Sequence, residues 1–255
     1  MTLKEMLDAG LTLREYPEPV LRRQCVPVKV IDDDIRRLAA AMFEVMYDYR
    51  GVGLAAPQVG VPLRMFVANP TGDRSRRDQE HVFVNPEYLM AAGRTQVAEG
   101  CLSLMVMASA ELPVIRHAGI EVRATGLDGK EFRLKLSMHD KRHGALCHVF
   151  QHEFDHLSGS LYIDHAPVEA KEWIAGMLGY MEAQFDWKVN KIGTSPLIEE
   201  LNKQVDEFLA WYTAPEVKEV QEVDKDGKEN QGSARVEVGQ LDSVGEGSIV
   251  GAEGV

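Results

Sequence analysis

The chain of 255 residues is long enough for one well-buried domain with appendages, and its apolar fraction of 45% is ordinary for a globular enzyme. No apolar run approaches the roughly 20 residues that a membrane span needs. The first residues lack the basic stretch and apolar core that are typical of a secretory signal. The formal net charge of −12 argues against direct nucleic-acid binding, because phosphate contacts need a basic surface.

The first clear helical pattern follows Asp32, where three consecutive aspartates supply cap residues. Apolar side chains then recur at helical spacing. The predicted apolar face consists of Ile35, Leu38, Ala39, Met42, Val45, Met46 and Tyr49. Gly51 is predicted to end the helix, because glycine tolerates the left-handed conformation.

A loop rich in glycine and alanine is predicted after this helix, followed by short strands. The strand predictions cover residues 63–68, 82–84, 120–124 and 132–136, with turns at 69–72 and 127–130. Helical patterns then cover 144–157 and 168–184. Another helix is predicted from Ser195, because a cap residue there precedes a proline.

The last forty residues differ in composition from the rest of the chain. From Glu216 to Val255 there are ten acidic and four basic residues, a net charge of −6, with seven glycines and no aromatic side chain. Such a segment buries too little apolar surface to offset the entropy of ordering. It is therefore predicted to be a disordered, acidic, glycine-rich tail.

The three cysteines, Cys25, Cys101 and Cys147, are an odd and small number without a secretory signal. This favours a reduced, intracellular protein in which a thiol can serve as a metal ligand. Burial as a small apolar residue is the usual role of a free cysteine, and it is the prediction for Cys25 and Cys147.

The strongest functional signal is the motif His152-Glu-Phe-Asp-His156. Histidines four residues apart stand on the same face of a helix, so both imidazoles can reach one cation. Glu153 is offset and can lie beside the metal without binding it. Two imidazoles leave a four-coordinate site incomplete, so a third protein ligand is expected.

Three segments together resemble the signature motifs of peptide deformylases. They are Gly51-Val-Gly-Leu-Ala-Ala-Pro-Gln-Val-Gly60, Glu99-Gly-Cys-Leu-Ser103 and Gln151-His-Glu-Phe-Asp-His-Leu-Ser-Gly159. They occur in the family's order and at about its spacing. The similarity extends from the lead-in at Tyr16 to about Asp164.

This resemblance implies that Cys101, His152 and His156 hold one divalent metal ion. A thiolate and two imidazoles suit Fe²⁺, Zn²⁺, Ni²⁺ or Co²⁺, and disfavour Mg²⁺ and Ca²⁺. The family typically uses Fe²⁺ and also accepts the other three. Fe²⁺ is therefore the expected native metal, one ion per chain.

The resemblance also assigns the catalytic groups and the substrate. Glu153 would be the acid and base, while the Gln58 side chain and the Leu102 backbone N–H would stabilise the oxyanion. The substrate would be a nascent chain that begins with formyl-methionine, and the products formate and a free N-terminus. The predicted substrate-binding residues are Gly51, Val52, Gly53, His148 and Val149. Glu99 and Asp155 would orient the metal ligands.

The expected fold is α+β, with short, mainly antiparallel sheets packed around a central helix that carries the two histidines, plus C-terminal helices. The predicted division is a deformylase-like catalytic domain over 1–166, a helical extension over 167–214 and the tail over 215–255. The extension is expected to contact the ribosome or a second copy of the chain. The expected compartment is the cytoplasm in a bacterium, and the mitochondrion or plastid in a eukaryote.

Several features leave alternatives open. The segment Leu104-Met-Val-Met107 departs from the family's usual continuation after the cysteine, and Arg116 suits either a family role or a solvated surface. A zinc endopeptidase would need a third ligand, but Tyr162 stands at the metzincin position and neither Glu169 nor Glu172 lies in a recognisable motif. A non-catalytic binding protein that keeps the fold is the other alternative.

Overall fold

The computed structural model describes residues 2–107, 111–141 and 143–190, together with two short strands further along the chain. The helices are α1 (Leu3–Ala9), α2 (Asp33–Asp48), α3 (Gly144–His156) and α4 (Val168–Asn190). The strands are β1 (Gly53–Ala55), β2 (Met65–Ala68), β3 (His81–Ala92), β4 (Thr95–Glu99), β5 (Leu112–Arg116), β6 (Gly119–Thr125), β7 (Glu131–Ser137), β8 (Val217–Glu219) and β9 (Val236–Val238). The predicted α+β class is confirmed.

The largest sheet is antiparallel and has five strands in the order β1-β2-β3-β6-β7. Strands β4 and β5 make a separate antiparallel hairpin, in which Glu99 pairs with Leu112 and Thr95 with Arg116. Strand β4 ends two residues before Cys101, which lies in the connection to β5, so this pair of strands positions the cysteine motif beside the five-stranded sheet rather than within it.

Both faces of the sheet are buried at strand β2. Met65 and Val67 pack in one apolar cluster with helix α2, whereas Phe66 and Ala68 pack in a second cluster with helix α3. Side chains alternate between the two faces of a strand, so a strand with both faces buried must be apolar at every position. This explains why the predicted strand 63–68 is apolar at each position from Met65 to Ala68.

Helix α3 is anchored on the sheet by aromatic contacts. The ring centroid of Phe150 lies 5.2 Å from those of Phe66 and Phe83, both in edge-on geometry. Phe150 and Cys147 are fully buried on the face that meets the sheet. The predicted central helix is therefore present, and its packed face fixes the direction in which its remaining side chains point.

Helix α2 begins as predicted, since the Asp32 carboxylate accepts a hydrogen bond from the Ile35 N–H at 3.1 Å. Of the seven residues predicted for its apolar face, Tyr49 at the C-terminal end is wrong, and two buried residues were not predicted. Phe43 and Tyr47 are buried, whereas Tyr49 is 41% exposed. The difference arises because the helix ends at Asp48, so Tyr49 no longer follows the helical repeat.

The residue that takes the left-handed conformation after α2 is Arg50, with φ of 58°, and not Gly51. Gly51 is needed for a different reason. A Cβ atom there would lie 2.7 Å from the Leu102 side chain. The glycine therefore allows the segment before β1 to approach the cysteine motif closely.

Strands were predicted less completely than helices. The segment 82–84 lies within the longer strand β3, and β1 lies in the predicted glycine-rich loop. Helix α1 and the hairpin strands β4 and β5 were not predicted. The predicted burial of Cys25 and Cys147 is confirmed.

Helix α4 contains the predicted helix 168–184 and extends it to Asn190, burying Ile174, Met177 and Met181. The helix predicted from Ser195 lies outside the described residues, as does most of the predicted tail. Within the unit Asn202–Val255, strands β8 and β9 pair antiparallel. The predicted domain limits stay predictions. None of the described helices is both long and apolar enough to cross a membrane.

Candidate metal centre and active-site cleft

Three side chains from two parts of the chain converge at the C-terminal end of α3. His152 and His156 project from the same face of the helix, with ring centroids 5.2 Å apart. Cys101, which follows β4, brings its Sγ to 3.5 Å from the Nε2 of His156. One potential ligand atom from each residue lies within 4.8 Å of the other two. Among the described residues, no other group of three His, Cys, Asp or Glu side chains is arranged in this way.

The chemistry of these three donors fits a divalent transition metal. A thiolate and two imidazoles bind Fe²⁺, Zn²⁺, Co²⁺ or Ni²⁺ in preference to hard cations. Burial is the main cause that lowers the pKa of His156 to about 3. Its ring is therefore neutral at physiological pH, which is the form that binds a metal.

Glu99 holds the ring of His152 from the side opposite the cysteine. Its Oε2 lies 2.9 Å from the His152 Nδ1, and its Oε1 lies 3.0 Å from the Nε2 of His148. Arg116 donates to both oxygens, at 2.6 and 2.7 Å. Burial alone would raise the pKa of Glu99, but these hydrogen bonds outweigh it and lower the pKa. Glu99 is therefore a carboxylate that fixes the orientation of the His152 ring.

Arg116 is buried, with 6% of its surface exposed, so the solvated role considered for it is wrong. Besides Glu99, it binds Asp155 through an Nη1–Oδ2 contact of 2.5 Å. Asp155 in turn lies 3.1 Å from the Nε2 of His165. Asp155 thus supports the metal centre through Arg116, and among the described residues it makes no hydrogen bond to a predicted ligand.

Glu153 lies beside the three ligand side chains and is 4% exposed. Its Oε2 is buried and has no hydrogen-bond partner within the described part of the chain. Burial is the main cause that raises the pKa of Glu153 to about 7. A carboxyl group in this environment can both accept and release a proton near neutral pH.

The side-chain amide of Gln58 is fixed in one orientation by hydrogen bonds at both its oxygen and its nitrogen. Its Oε1 accepts the Ala55 N–H at 2.7 Å, and its Nε2 donates to the Ser103 Oγ at 3.2 Å and to the Cys101 Sγ at 3.7 Å. The amide N–H groups therefore face the cysteine. This is the direction from which a donor can reach an oxyanion formed beside the metal ligands.

A cleft of about 280 Å³ opens onto this centre. It is lined by Arg50, Gly51, Val52, Gly53, Gln58, Ala98, Glu99, Gly100, Cys101, Leu102, Glu111, His148, Val149, His152 and Glu153. The predicted substrate-binding and catalytic residues all line it. Of the predicted metal ligands, His156 does not line the cleft and is 1% exposed.

Sequence reasoning missed several residues around the cleft. Ser103, which positions Gln58, lies inside the cysteine motif and could have been found there. Tyr162 is 1% exposed, and its ring centroid lies 6.1 Å from that of His152. Arg50 and Glu111 line the cleft as charged, exposed residues. Neither lies in a pattern that predicts a role, because their positions depend on the fold.

Comparison with known proteins identifies the family. The family model for polypeptide deformylase matches residues 11–172, which is more than half of the chain. The chain belongs to the peptide deformylase family. It is 40% identical over 158 residues to the peptide deformylase of Chromohalobacter salexigens, covering 62% of this chain and 86% of that protein. It is 34% identical over 205 residues to that of Rhodopirellula baltica, covering 80% and 96%.

Solved structures of the family share the fold. Peptide deformylase 1B of Arabidopsis thaliana, in complex with an inhibitor, has a TM-score of 0.64 at 32% identity and covers 73% of this chain and 97% of that one. The enzyme of Plasmodium falciparum has a TM-score of 0.63 at 30% identity, covering 72% and 100%. The chain is therefore a metal-dependent hydrolase that removes the N-formyl group from newly made proteins. The peptidase and scaffold alternatives are not favoured.

Gly53 is required by the proximity of Glu153 to strand β1. A Cβ at position 53 would lie 2.5 Å from the Glu153 Oε1 and 2.6 Å from the Val149 side chain. We expect Gly53→Ala to displace the carboxylate and lower kcat on the order of 100-fold. Gly119→Ala is the matched control, since its Cβ would meet only the Leu136 carbonyl at 3.7 Å. Formate release by both variants measures the effect, and equal activities would contradict the assigned contact.

The contact between His165 and Asp155 makes stability depend on pH. The hydrogen bond to Asp155 raises the pKa of His165, while burial and Arg116 oppose the increase and Asp164 adds to it. A raised folded-state pKa gives stability that is complete below the unfolded value of about 6.5 and lost as pH rises through the folded value. Since the side chain is 40% exposed, we expect less than about 1 kcal/mol.

We therefore expect His165→Gln to lower the unfolding temperature at pH 5.5 and to change it much less at pH 9. Both proteins are kept saturated with Zn²⁺, so that metal loss in acid does not contribute to the difference. A loss of stability that is the same at both pH values would show that packing, and not charge, is the contribution of His165.

Proposed function

We propose that Cys101, His152 and His156 bind the divalent metal ion of this deformylase, and that Glu153 is its acid and base. The observation that carries the proposal is the convergence of one sulfur and two ring nitrogens within 4.8 Å, at the base of a cleft, beside a buried carboxyl group with an unpartnered oxygen. The proposed ligands come from two separate segments of the chain, since Cys101 follows β4 and both histidines lie in α3.

We propose Fe²⁺ as the native metal, with Zn²⁺, Ni²⁺ or Co²⁺ as functional replacements. The mixed sulfur and nitrogen donor set supports a transition metal but does not select one among these four. When bound, such an ion lowers the pKa of water from about 15.7 towards neutrality and polarises a carbonyl group. The remaining chemistry is proposed for the protein's own side chains.

Glu153 would transfer the proton that amide hydrolysis requires. Its carboxylate takes a proton from the attacking water and gives that proton to the departing nitrogen of the methionine residue. The breaking bond is the one between the formyl carbon and this nitrogen. Formate and a free amino group are then the products, and Glu153 returns to its starting state.

Gln58 and the backbone N–H of Leu102 would stabilise the negative charge on the formyl oxygen. The Gln58 amide is already held in place by Ala55 and Ser103, so no reorientation is needed during the reaction. A donor that is preorganised in this way lowers a barrier by about 3 kcal/mol. Gly51 and Gly53 allow the substrate backbone to approach closely.

The side chain of the formylated methionine would occupy the part of the cleft formed by Val52, His148 and Val149. Val52 is 42% exposed and Val149 is 7% exposed, so together they offer an apolar surface that is open on one side only. A thioether side chain has no hydrogen-bonding requirement and suits such a pocket.

Metal content and formate release, measured on the same oxygen-free preparation, test the proposal. We expect about one equivalent of iron per chain and release of formate from a formyl-methionyl peptide. Cys101→Ser and His156→Ala should each lose the metal and the activity together. Retention of a full equivalent of metal in both variants would remove the ligand assignment.

We further propose that the C-terminal extension contacts the ribosome or a second copy of the chain. Helix α4, which buries one face on the body of the enzyme, is the described part of this extension. Co-sedimentation with ribosomes, compared with the mass of the free protein in solution, distinguishes the two partners. A monomer that does not sediment with ribosomes would contradict both.

A further inference from the structure

We infer that His148 is a positioning residue that connects the substrate side-chain pocket, through Glu99, to the metal ligand His152. This inference rests on the proposed function, because it takes His152 as a ligand and the cleft as the substrate site. It concerns the contact between His148 and Glu99, which lies outside the proposed ligand set.

His148 and His152 lie one helical turn apart on the same face of α3. Both reach the same carboxylate, each on a different oxygen. The Nε2 of His148 is 3.0 Å from the Glu99 Oε1, and the Nδ1 of His152 is 2.9 Å from the Oε2. A carboxylate accepts hydrogen bonds, so each imidazole presents an N–H to it. Glu99 therefore joins the two rings rigidly.

Exposure distinguishes His148 from the other two donors to Glu99. Its side chain is 32% exposed, compared with 5% for Arg116 and 12% for His152. It also lines the cleft next to Val149. A substrate side chain that enters the pocket can therefore contact His148 directly, whereas Arg116 does not line the cleft and is almost fully enclosed.

The orientation of Glu99 depends on donors to both of its oxygens. If the His148 donor is lost, Oε1 keeps only the hydrogen bond from Arg116 Nε at 2.6 Å. Arg116 still binds both oxygens, but the carboxylate has lost one of the hydrogen bonds that hold it, so the ring of His152 is held less firmly. Loss of a hydrogen bond made directly to a metal ligand typically lowers metal affinity 10- to 100-fold, and since His148 acts one residue further out, its effect is expected at the lower end of this range.

The test uses full-length protein loaded with Co²⁺, whose visible absorption reports ligand geometry. His148→Leu keeps much of the volume but removes the N–H, and His148→Gln restores a donor. Val149→Ala is the matched control, because it alters the same cleft one residue away and has no hydrogen-bonding side chain. For each protein we measure the rate of Co²⁺ transfer to a chelator, the absorption spectrum, and kcat and KM for a formyl-methionyl peptide.

We expect His148→Leu to release Co²⁺ about tenfold faster, to change the absorption spectrum and to lower kcat more than it raises KM. His148→Gln should recover most of the metal retention. Val149→Ala should raise KM and leave the Co²⁺ release rate unchanged. Unchanged release and spectrum in His148→Leu, or equally fast release in Val149→Ala, would overturn the inference.

Two further controls keep the result interpretable. If His148→Leu does not fold, His148→Asn replaces it. The asparagine side chain is polar but too short to reach Glu99, and the same criteria apply. Failure of the wild-type protein to bind Co²⁺ or release formate would count against the proposed function. A fully active wild type with a His148→Leu variant that retains the metal would count against this inference alone.

Discussion

Replacing Glu153 with Gln is expected to lower kcat by roughly 10²- to 10⁴-fold while the metal remains bound. The amide has nearly the same size as the carboxyl group, so the cleft and the three ligand side chains keep their positions. What is lost is the ability to accept and release a proton. Stopped assays of formate release, together with metal analysis of the same sample, separate these two properties.

Glu172→Gln provides the control for this experiment. Glu172 is an exposed residue of helix α4 and, with Glu169, was considered as the third ligand of a zinc endopeptidase. We expect Glu172→Gln to retain full activity and a full equivalent of metal. If Glu153→Gln stayed active, the acid–base role would have to move to another group. If Glu172→Gln lost its metal, the ligand set itself would be wrong.

Helices α2 and α3 were predictable because their signals are local. The Asp32 cap and the spacing of apolar residues define α2, and four-residue spacing places His152 and His156 on one face of α3. The pattern is contained within a single element in each case. The C-terminal end of α2 was predicted less well, because the helix ends at Asp48 and Arg50, not Gly51, takes the left-handed conformation.

The strands that were missed have weak local signals. Strand β1 is three residues of a run rich in glycine and alanine, and it is recognisable only through its pairing with β2. Strand β3 contains Asn85-Pro86, which resembles a turn. Asn85 does take a left-handed conformation, with φ of 49°, and the pairing of β3 with β6 shifts register between Val84 and Glu87. The strand nevertheless continues beyond this irregularity, where the Asn85 side chain binds the Val28 backbone at 2.9 and 2.8 Å. Both cases depend on partners that are distant in sequence.

The candidate site also contains residues that short motifs predict and one residue whose role depends on distant parts of the chain. Resemblance to the family gave the ligand and catalytic residues, since each lies in a short motif. The role of Arg116 was left open because a lone arginine in a strand carries no local sign of burial. Its environment is created only when the β4–β5 hairpin and α3 bring Glu99 and Asp155 to its two ends.

This burial gives Arg116→Met the largest expected effect on stability, a loss of about 3–5 kcal/mol in the free energy of unfolding. Arg116 is 5% exposed at its side chain and neutralises two carboxylates, Glu99 and Asp155, which are 1% and 18% exposed. Methionine fills a similar volume but removes the guanidinium charge, which leaves Glu99 with its two histidine donors and Asp155 with His165. Lysine would not replace arginine here, because one ammonium group cannot bind both partners in the same geometry.

Arg123→Met is the matched control for this prediction. Arg123 also binds two acidic residues, Glu87 at 2.5 Å and Glu131 at 3.7 Å, but its side chain is 36% exposed. Ion pairs in such contact with water contribute less than about 1 kcal/mol, so we expect only a small loss. Urea unfolding of both variants with saturating Zn²⁺ measures the difference. If the two variants lost equal stability, burial would not explain the strength of the contacts of Arg116 with Glu99 and Asp155. The orientation of the His152 ring by Glu99 would then need another explanation.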